Sequence, residues 1–244
     1  DPGRQRHPRG CGDRHLAVRH FVQALHCQPQ IVAIARVFVF VGGPCNVFQK
    51  SIMLELDRSR YLAIQSGAVA QAARIDVTIA EWLAAGARNL FFAGTGGAAI
   101  LMQPAAQLLQ RRSGFPAHAE ITAELVAGGH AALGAGSIVV IPSVSGTTRE
   151  SVELIALCKA KGAKVLSLVG HADTPLGRDA DVACVNFAED DTSCENFYIQ
   201  SLLVALSVMR QRGEISNYDA LLAEFKLLPE LLLGVKDQYV AEAE

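Results

Sequence analysis

Two hydrophobic rhythms alternate along residues 57–233. Short, continuous apolar runs are separated by longer stretches whose apolar residues return every three to four positions, the spacing of one helix face. Between about residues 57 and 86, Tyr61, Leu62, Ile64, Val69, Ala72, Ile75, Val77, Ile79, Trp82 and Leu83 keep roughly that helical spacing. They predict one or two helices, with Gly86 as a C-cap. Residues 89–93 (NLFFA) form a short apolar run suited to a buried strand. A glycine turn follows, then an Ala/Leu-rich helix to Arg112. Residues 115–120 read as a second strand, and residues 137–143 (SIVVIPS) are the clearest strand of the chain. A helix then runs to Lys161 and stops at Gly162; residues 164–169 and 181–187 give a fourth and a fifth strand. Thr192 opens a long helix to about Arg212, and residues 218–233 form another. Leu221, Leu222, Phe225, Leu228 and Leu231 make its packing face, either to the sheet or to a partner.

Strand, turn, helix, strand at this rhythm is the pattern of a doubly wound, mostly parallel α/β sheet. Ligands in such folds bind beyond the carboxyl ends of strands, where loops meet helix N-termini. Three loops therefore matter: 94–97, 143–148 and 190–194. No internal period of about 20–50 residues suggests a repeat array.

The loop at 143–148 is the sharpest signal. Ser143, Ser145, Thr147 and Thr148 place four hydroxyls within six residues around Gly146. One hydroxyl is enough to cap a helix. Four, together with the free N–H groups of a helix start, suit a phosphate cradle that needs neither lysine nor metal. Gly94, Thr95, Gly96, Gly97 and the alanines after them match G-x-G-x-x-A, a dinucleotide fingerprint that is weak alone. The ribose-binding acid it requires would have to be Glu120 or Glu124, later than the usual spacing of about 20 residues. Close helix–strand packing at glycine explains the same turn. At 190–194 (DDTSC), Thr192 or Ser193 can be a plain N-cap, with Glu195 in the first turn. His171 follows a strand end and could face the cleft, whereas His118 and His130 read as isolated histidines. Cys158, Cys184 and Cys194 read as small core fillers.

Composition changes the picture at one place. The chain has 244 residues, a net charge of −2 and half its residues hydrophobic, so a sizeable core is available and disorder is excluded. That charge gives no support for a nucleic-acid binder. Residues 1–52, however, hold 7 Lys+Arg (Arg4, Arg6, Arg9, Arg14 and Arg19 among them) against 2 Asp, a net of +5. The remainder holds 15 basic and 22 acidic residues, a net of −7. The first 50 residues lack Glu, Ser, Thr and Tyr but hold four of the seven His. A transit peptide, a basic arm for nucleic acid and upstream sequence preceding a natural start at Met53 all fit, and we favour the last. No apolar run nears the roughly 18–20 residues of a membrane span. Six cysteines without zinc spacing read as reduced thiols in a cytoplasmic protein.

With its residues laid out, the chain resembles a known family. The stretch from Ser143 through Ser145, Gly146, Thr147 and Thr148 to Glu150, then a helix and Lys161-Gly-Ala-Lys-Val165, resembles the SIS (sugar isomerase) domain. That resemblance implies a flavodoxin-like αβα sandwich with a five-stranded sheet. It also implies a phosphosugar whose phosphate lies on Ser143, Ser145, Gly146, Thr147 and Thr148, helped by Gly94, Thr95 and Gly96. Gly96 stands where relatives often have Ser, and Ser193 matches a sugar-contacting Ser. EITAELVAGGH, SVSGTTRE and DDTSCENFY narrow the likeness to fructosamine 6-phosphate deglycases and the isomerase half of glucosamine-6-phosphate synthase. The implied reaction releases glucose 6-phosphate and an amine by proton transfer between C1 and C2 and imine hydrolysis, with no metal or nucleotide cofactor. Glu195 falls where the family usually carries Lys near the sugar, and is the catalytic candidate within this chain.

The expected organisation is an atypical segment at 1–52, a SIS domain at 53–215, and helices at 216–244 leading toward a second SIS domain that the chain lacks. The family's catalytic carboxylate and histidine are expected in that second half. Homodimerisation is expected, and nucleic acid and membrane are not expected as partners. The competing functions are a non-catalytic phosphosugar sensor and an NAD-binding Rossmann oxidoreductase. The first needs a helix-turn-helix module that residues 1–52 do not suggest. The second leaves the four-hydroxyl loop unexplained.

Overall fold

The computed structural model describes residues 57–189 and 192–243. The chain divides into two units, and every described residue belongs to the second, Leu56–Glu244. The basic segment at 1–52, Met53, Asp190 and Asp191 lie outside the described residues.

Five strands form one sheet: β1 Asn89–Gly94, β2 Ala117–Ile121, β3 Ser137–Ser143, β4 Lys164–Val169 and β5 Val182–Val185. All neighbours are parallel, in the order β2-β1-β3-β4-β5. The central strands are apolar throughout because both of their faces are covered, and successive side chains alternate between the two layers. Leu90, Phe92, Ile138, Val140, Leu166 and Leu168 enter one core; Phe91, Ala93, Val139, Ile141, Val165 and Val169 enter the other.

The first core is the larger. It is covered by α2 Ala72–Ala84, α3 Gly97–Arg112 and α7 Ser193–Gln211, with α1 Arg58–Ala70 and α8 Tyr218–Ala243 outside α7. The second is covered by three shorter helices, α4 Thr122–Gly128, α5 Arg149–Lys161 and α6 Pro175–Asp179. Helix α7 is buried along nearly its whole length, so it carries polar side chains that must find partners inside. Asn186, just past β5, donates to Asn196 Oδ1 at 2.7 Å and to the Ile64 carbonyl at 2.8 Å. Gln65 of α1 donates to the Thr192 carbonyl at 3.0 Å. These bonds tie α1, the β5 exit and α7 into one corner. At the other end of α7, Arg210 pairs with Asp76 of α2 at 2.9 Å and lies over the Tyr218 ring.

The helical spacing over 57–86 resolves into two helices broken at Gln71, whose side chain donates to the Val185 carbonyl at 3.2 Å. The sheet is wholly parallel rather than mostly so. Its edge strands are shorter or shifted: residues 117–121 against the expected 115–120, and 182–185 against 181–187. Phe115 is buried but precedes β2. The last helix runs on to Ala243. Leu221, Leu222, Phe225 and Leu228 pack on the main core as expected. Cys158 and Cys184 are buried; Cys194 is exposed and so is no core filler. Among the described residues no helix is long and apolar enough to cross a membrane.

Candidate functional site

Chain connections fix where the sheet opens. From β1 the chain moves outward to β2, and from β3 it moves the opposite way to β4 and β5. A crevice therefore lies between the carboxyl ends of β1 and β3, where the two windings part. The last paired residues there are Phe92 and Val140, so Gly94 and Ser143 leave adjacent strand ends. Two of the three loops singled out in the sequence meet at this crevice.

The turn after β3 is a small hydrogen-bonded unit. Ser143, nearly buried, accepts from the Gly146 N–H at 3.1 Å and lies 3.1 Å from the Thr148 hydroxyl. Ser145 accepts from the Thr147 N–H at 3.3 Å. Thr148 is the N-cap of α5, yet its side chain makes no capping bond to the helix. The hydroxyls thus exceed the needs of capping, and Ser145 and Thr147 remain exposed. Gly146 has φ +63°, which disfavours a side chain, and an added Cβ would overlap Thr174 Oγ1.

Thr174 belongs to a brace that the sequence did not reveal. The Gly146 carbonyl accepts from the Leu176 N–H at 3.1 Å, and the Val144 carbonyl from the Gly170 N–H at 3.3 Å. Thr174 itself donates to the His171 carbonyl and accepts from the Gly177 N–H, capping α6. The β4–α6 loop thereby holds the hydroxyl turn from behind. The local signal for it is Thr174-Pro175, an N-cap followed by proline at the first helical position.

The turn after β1 is built differently. A Cβ on Gly94 would lie 2.5 Å from Ala99 N and 2.6 Å from its Cα, so the glycine lets strand and helix backbones close on each other. Gly96 is the N-cap of α3 and supplies no side-chain bond. Thr95 Oγ1 is buried with no hydrogen-bond partner, so this turn holds one polar group with an unmet bond.

Ser193 and Glu195 stand on the first turn of α7, past the carboxyl end of β5 at the sheet edge. Tyr61 of α1 donates a hydrogen bond to Glu195; burial first, then the carboxylate's charge, push the Tyr61 phenol well above its ordinary range. The Thr192 hydroxyl turns back to Glu189 rather than capping α7. His171 is exposed at the carboxyl edge against Phe187, ring centres 5.4 Å apart. The structure therefore joins the hydroxyl turn to the glycine turn through the strands that carry them, and holds Glu195 from α1. Glu120 lies on β2 opposite Ala93, on the face of the sheet that carries His118 and His130. A cavity of about 350 Å³ at the opposite, amino edge is lined by Lys159, Lys164, Asp179 and Asp181. Its charges pair with one another, Lys164 with Asp181 at 2.8 Å, and it lies away from the crevice.

Chemically, among the described residues the crevice offers exposed hydroxyls and a helix N-terminus. Arg149, on the first turn of α5, is exposed and held by Glu153 at 2.9 Å. Such a site suits a polar anion bound by neutral donors.

The family model described as "SIS domain" matches residues 84–210. A candidate phosphosugar isomerase from Salmonella typhimurium LT2 shares 26% identity over 72% of this chain and 53% of its own, with a TM-score of 0.62. A second candidate phosphosugar isomerase, from Bacillus subtilis, shares 20% identity over 72% of this chain and 55% of its own, TM-score 0.62. The C-terminal domain of glucosamine-fructose-6-phosphate aminotransferase from Francisella tularensis shares 14% identity over 78% of this chain and 58% of its own, TM-score 0.64. The chain spans a little over half the length of each of these structures. No curated protein matches the chain significantly.

Proposed function

The chain belongs to the SIS domain family, and from that premise we propose that its crevice binds a phosphorylated sugar, phosphate on Ser143, Ser145, Gly146, Thr147 and Thr148. The observation that carries the reading is the hydroxyl turn. It places more hydroxyls than a cap needs at the start of α5, at the fold's natural ligand crevice, and is braced from behind by Thr174. The glycine turn supplies Gly94, Thr95 and Gly96 on the other wall, and the unmet bond of Thr95 Oγ1 suits a ligand oxygen. The Salmonella relative, described as a candidate phosphosugar isomerase, favours the same class of ligand.

The finer reading is a sugar-phosphate isomerase or deglycase acting on fructosamine 6-phosphates, releasing glucose 6-phosphate and an amine. Proton transfer would draw on Glu195, oriented by Tyr61, with Ser193 contacting the sugar. No metal or nucleotide enters this reaction.

A thermal-shift panel on the full chain tests both levels, with fructose 6-phosphate, glucose 6-phosphate, a fructosamine 6-phosphate and NAD. At about 100 times the Kd, a ligand adds about 2.7 kcal/mol, which raises the Tm by roughly 5–10 °C for a domain of this size. Stabilisation by sugar phosphates alone is expected; a response to NAD alone overturns the reading. Release of glucose 6-phosphate from the fructosamine then decides turnover. Binding without release would make the domain a phosphosugar sensor.

A further inference from the structure

We propose that His118, Glu120 and His130 bind one divalent transition-metal ion of the zinc type. The site does not rest on the sugar-phosphate reading. β2 is an edge strand, and residues two apart on a strand share a face, so His118 and Glu120 point the same way. Helix α4 then turns the chain back and brings His130 onto that face. One ligand-type atom of each of the three lies within 4.8 Å of the others. The two imidazole centres are 4.6 Å apart, and both rings rest on Phe91, at 4.5 and 5.0 Å. Among the described residues no other group of three His, Cys, Asp or Glu side chains converges in this way.

Plain packing does not account for this arrangement. All three residues are half-buried, yet neither the His118 ring nor the Glu120 carboxylate makes a hydrogen bond within the described protein. Two of the three convergent side chains, His118 and Glu120, thus keep their bonding capacity open toward a shared point beside the third, His130. An imidazole holds an ion through the lone pair of its neutral form, so binding should be weaker at acid pH. Two imidazoles and a carboxylate select zinc and its first-row neighbours over magnesium or calcium, which take oxygen ligands. Bonds of about 2.0–2.2 Å require the three atoms to close by roughly 1.5 Å, within reach of side-chain torsions. Three protein ligands leave the fourth tetrahedral position to water.

His130 supplies an internal reporter. Its Nδ1 accepts from the Ala132 N–H at 3.0 Å, which places the ring proton on Nε2. An ion on Nε2 moves that proton to Nδ1; an ion on Nδ1 takes the lone pair itself. Either way the Ala132 amide loses its acceptor, so binding must register at residue 132.

The test is a Zn²⁺ titration of the full chain, stripped by chelator, followed by calorimetry and by amide and imidazole ¹⁵N spectra. One equivalent is expected to bind with a shift of the Ala132 amide. Affinity should fall at least tenfold in His118→Asn, His130→Asn and the milder Glu120→Gln, and hold in His171→Asn. Residues 1–52 carry histidines and cysteines of their own. Zinc that binds equally well to the His118→Asn/His130→Asn chain therefore overturns the assignment. So does the lack of saturable binding in the wild type, or an Ala132 amide unmoved at saturation, a readout that needs no variant to fold.

Discussion

The turn after β1 and the turn after β3 leave adjacent strands of one sheet, each feeds a helix, and each faces the same crevice; they reach that geometry by opposite means. At Gly94 side chains are removed, so that α3 can approach the strand backbone to a distance no Cβ would permit. At residues 143–148 side chains are kept, and their hydroxyls organise the turn while leaving oxygens exposed to the crevice. The first turn is a steric device and the second a chemical one. Substitution of Gly94 should therefore appear as lost stability, and loss of hydroxyls in the second turn as lost affinity.

The largest effect is expected where that division is most direct. Ser145→Ala with Thr148→Val should remove two hydrogen bonds to a phosphate, each about 1.5–3 kcal/mol, and weaken sugar-phosphate binding by two orders of magnitude or more. Its Tm should stay close to wild type; calorimetry beside thermal melting checks both. A variant that melts early but binds normally would erase the distinction. Gly94→Ala comes next, at about 3 kcal/mol of stability, because the clash is with the Ala99 backbone rather than a movable side chain. Urea denaturation measures it, and its folded fraction should still bind.

Gly146→Ala tests whether the chemical turn also has a steric limit. The positive φ and the Thr174 contact together should cost about 2 kcal/mol. A double-mutant cycle with Thr174→Ala should return a coupling of at least about 0.5 kcal/mol; additivity would mean that Thr174 does not brace the turn. The smallest effect lies outside both turns. Glu214 accepts from the Gly114 N–H at 3.0 Å and from Arg212 Nε at 2.9 Å. Burial pushes its carboxyl up, but bonds from Ser113, Arg212 and Gly114 and the Arg212 charge outweigh burial and hold it below the usual range. A depressed folded pKa means stability present above the unfolded value of about 4.3 and lost as pH falls through the folded value. Glu214→Gln should thus cost about 1 kcal/mol at pH 7, a difference that shrinks as pH falls below the unfolded value, with ligand affinity unchanged.

The sequence is most informative where burial is most complete. Strands β3 and β4 are legible to their ends because both faces are covered and every position between them is apolar or small, apart from the first lysine of β4. The same property puts the two crevice turns at visible breaks in apolar runs. Edge strands β2 and β5 blur, since AHAEI and VACV mix half-buried positions and carry no clear period. Helices α4 and α6, at 7 and 5 residues, are shorter than the window over which a 3.6-residue rhythm can be counted. What stays hidden depends on contacts distant in sequence. His118 and His130 look unrelated until α4 folds between them, and Thr174 becomes a partner of Gly146 only when β4 lies beside β3.

The strand order also sets a sequence of events in time. β1 pairs with β2 at residues 117–121 and with β3 at residues 137–143, so the unit β1-α3-β2 can assemble from nearer neighbours while the hydroxyl turn is still unattached. Of the four parallel pairings, β1–β3 joins partners farthest apart in sequence, Asn89 with Ser137, and closures over long separations are slow. The crevice comes into being only when β3 docks on the opposite side of β1, an act that joins the two windings of the sheet. Binding competence should therefore emerge late in refolding, after much of the helix signal has returned, with β1–β3 docking as the step that creates it.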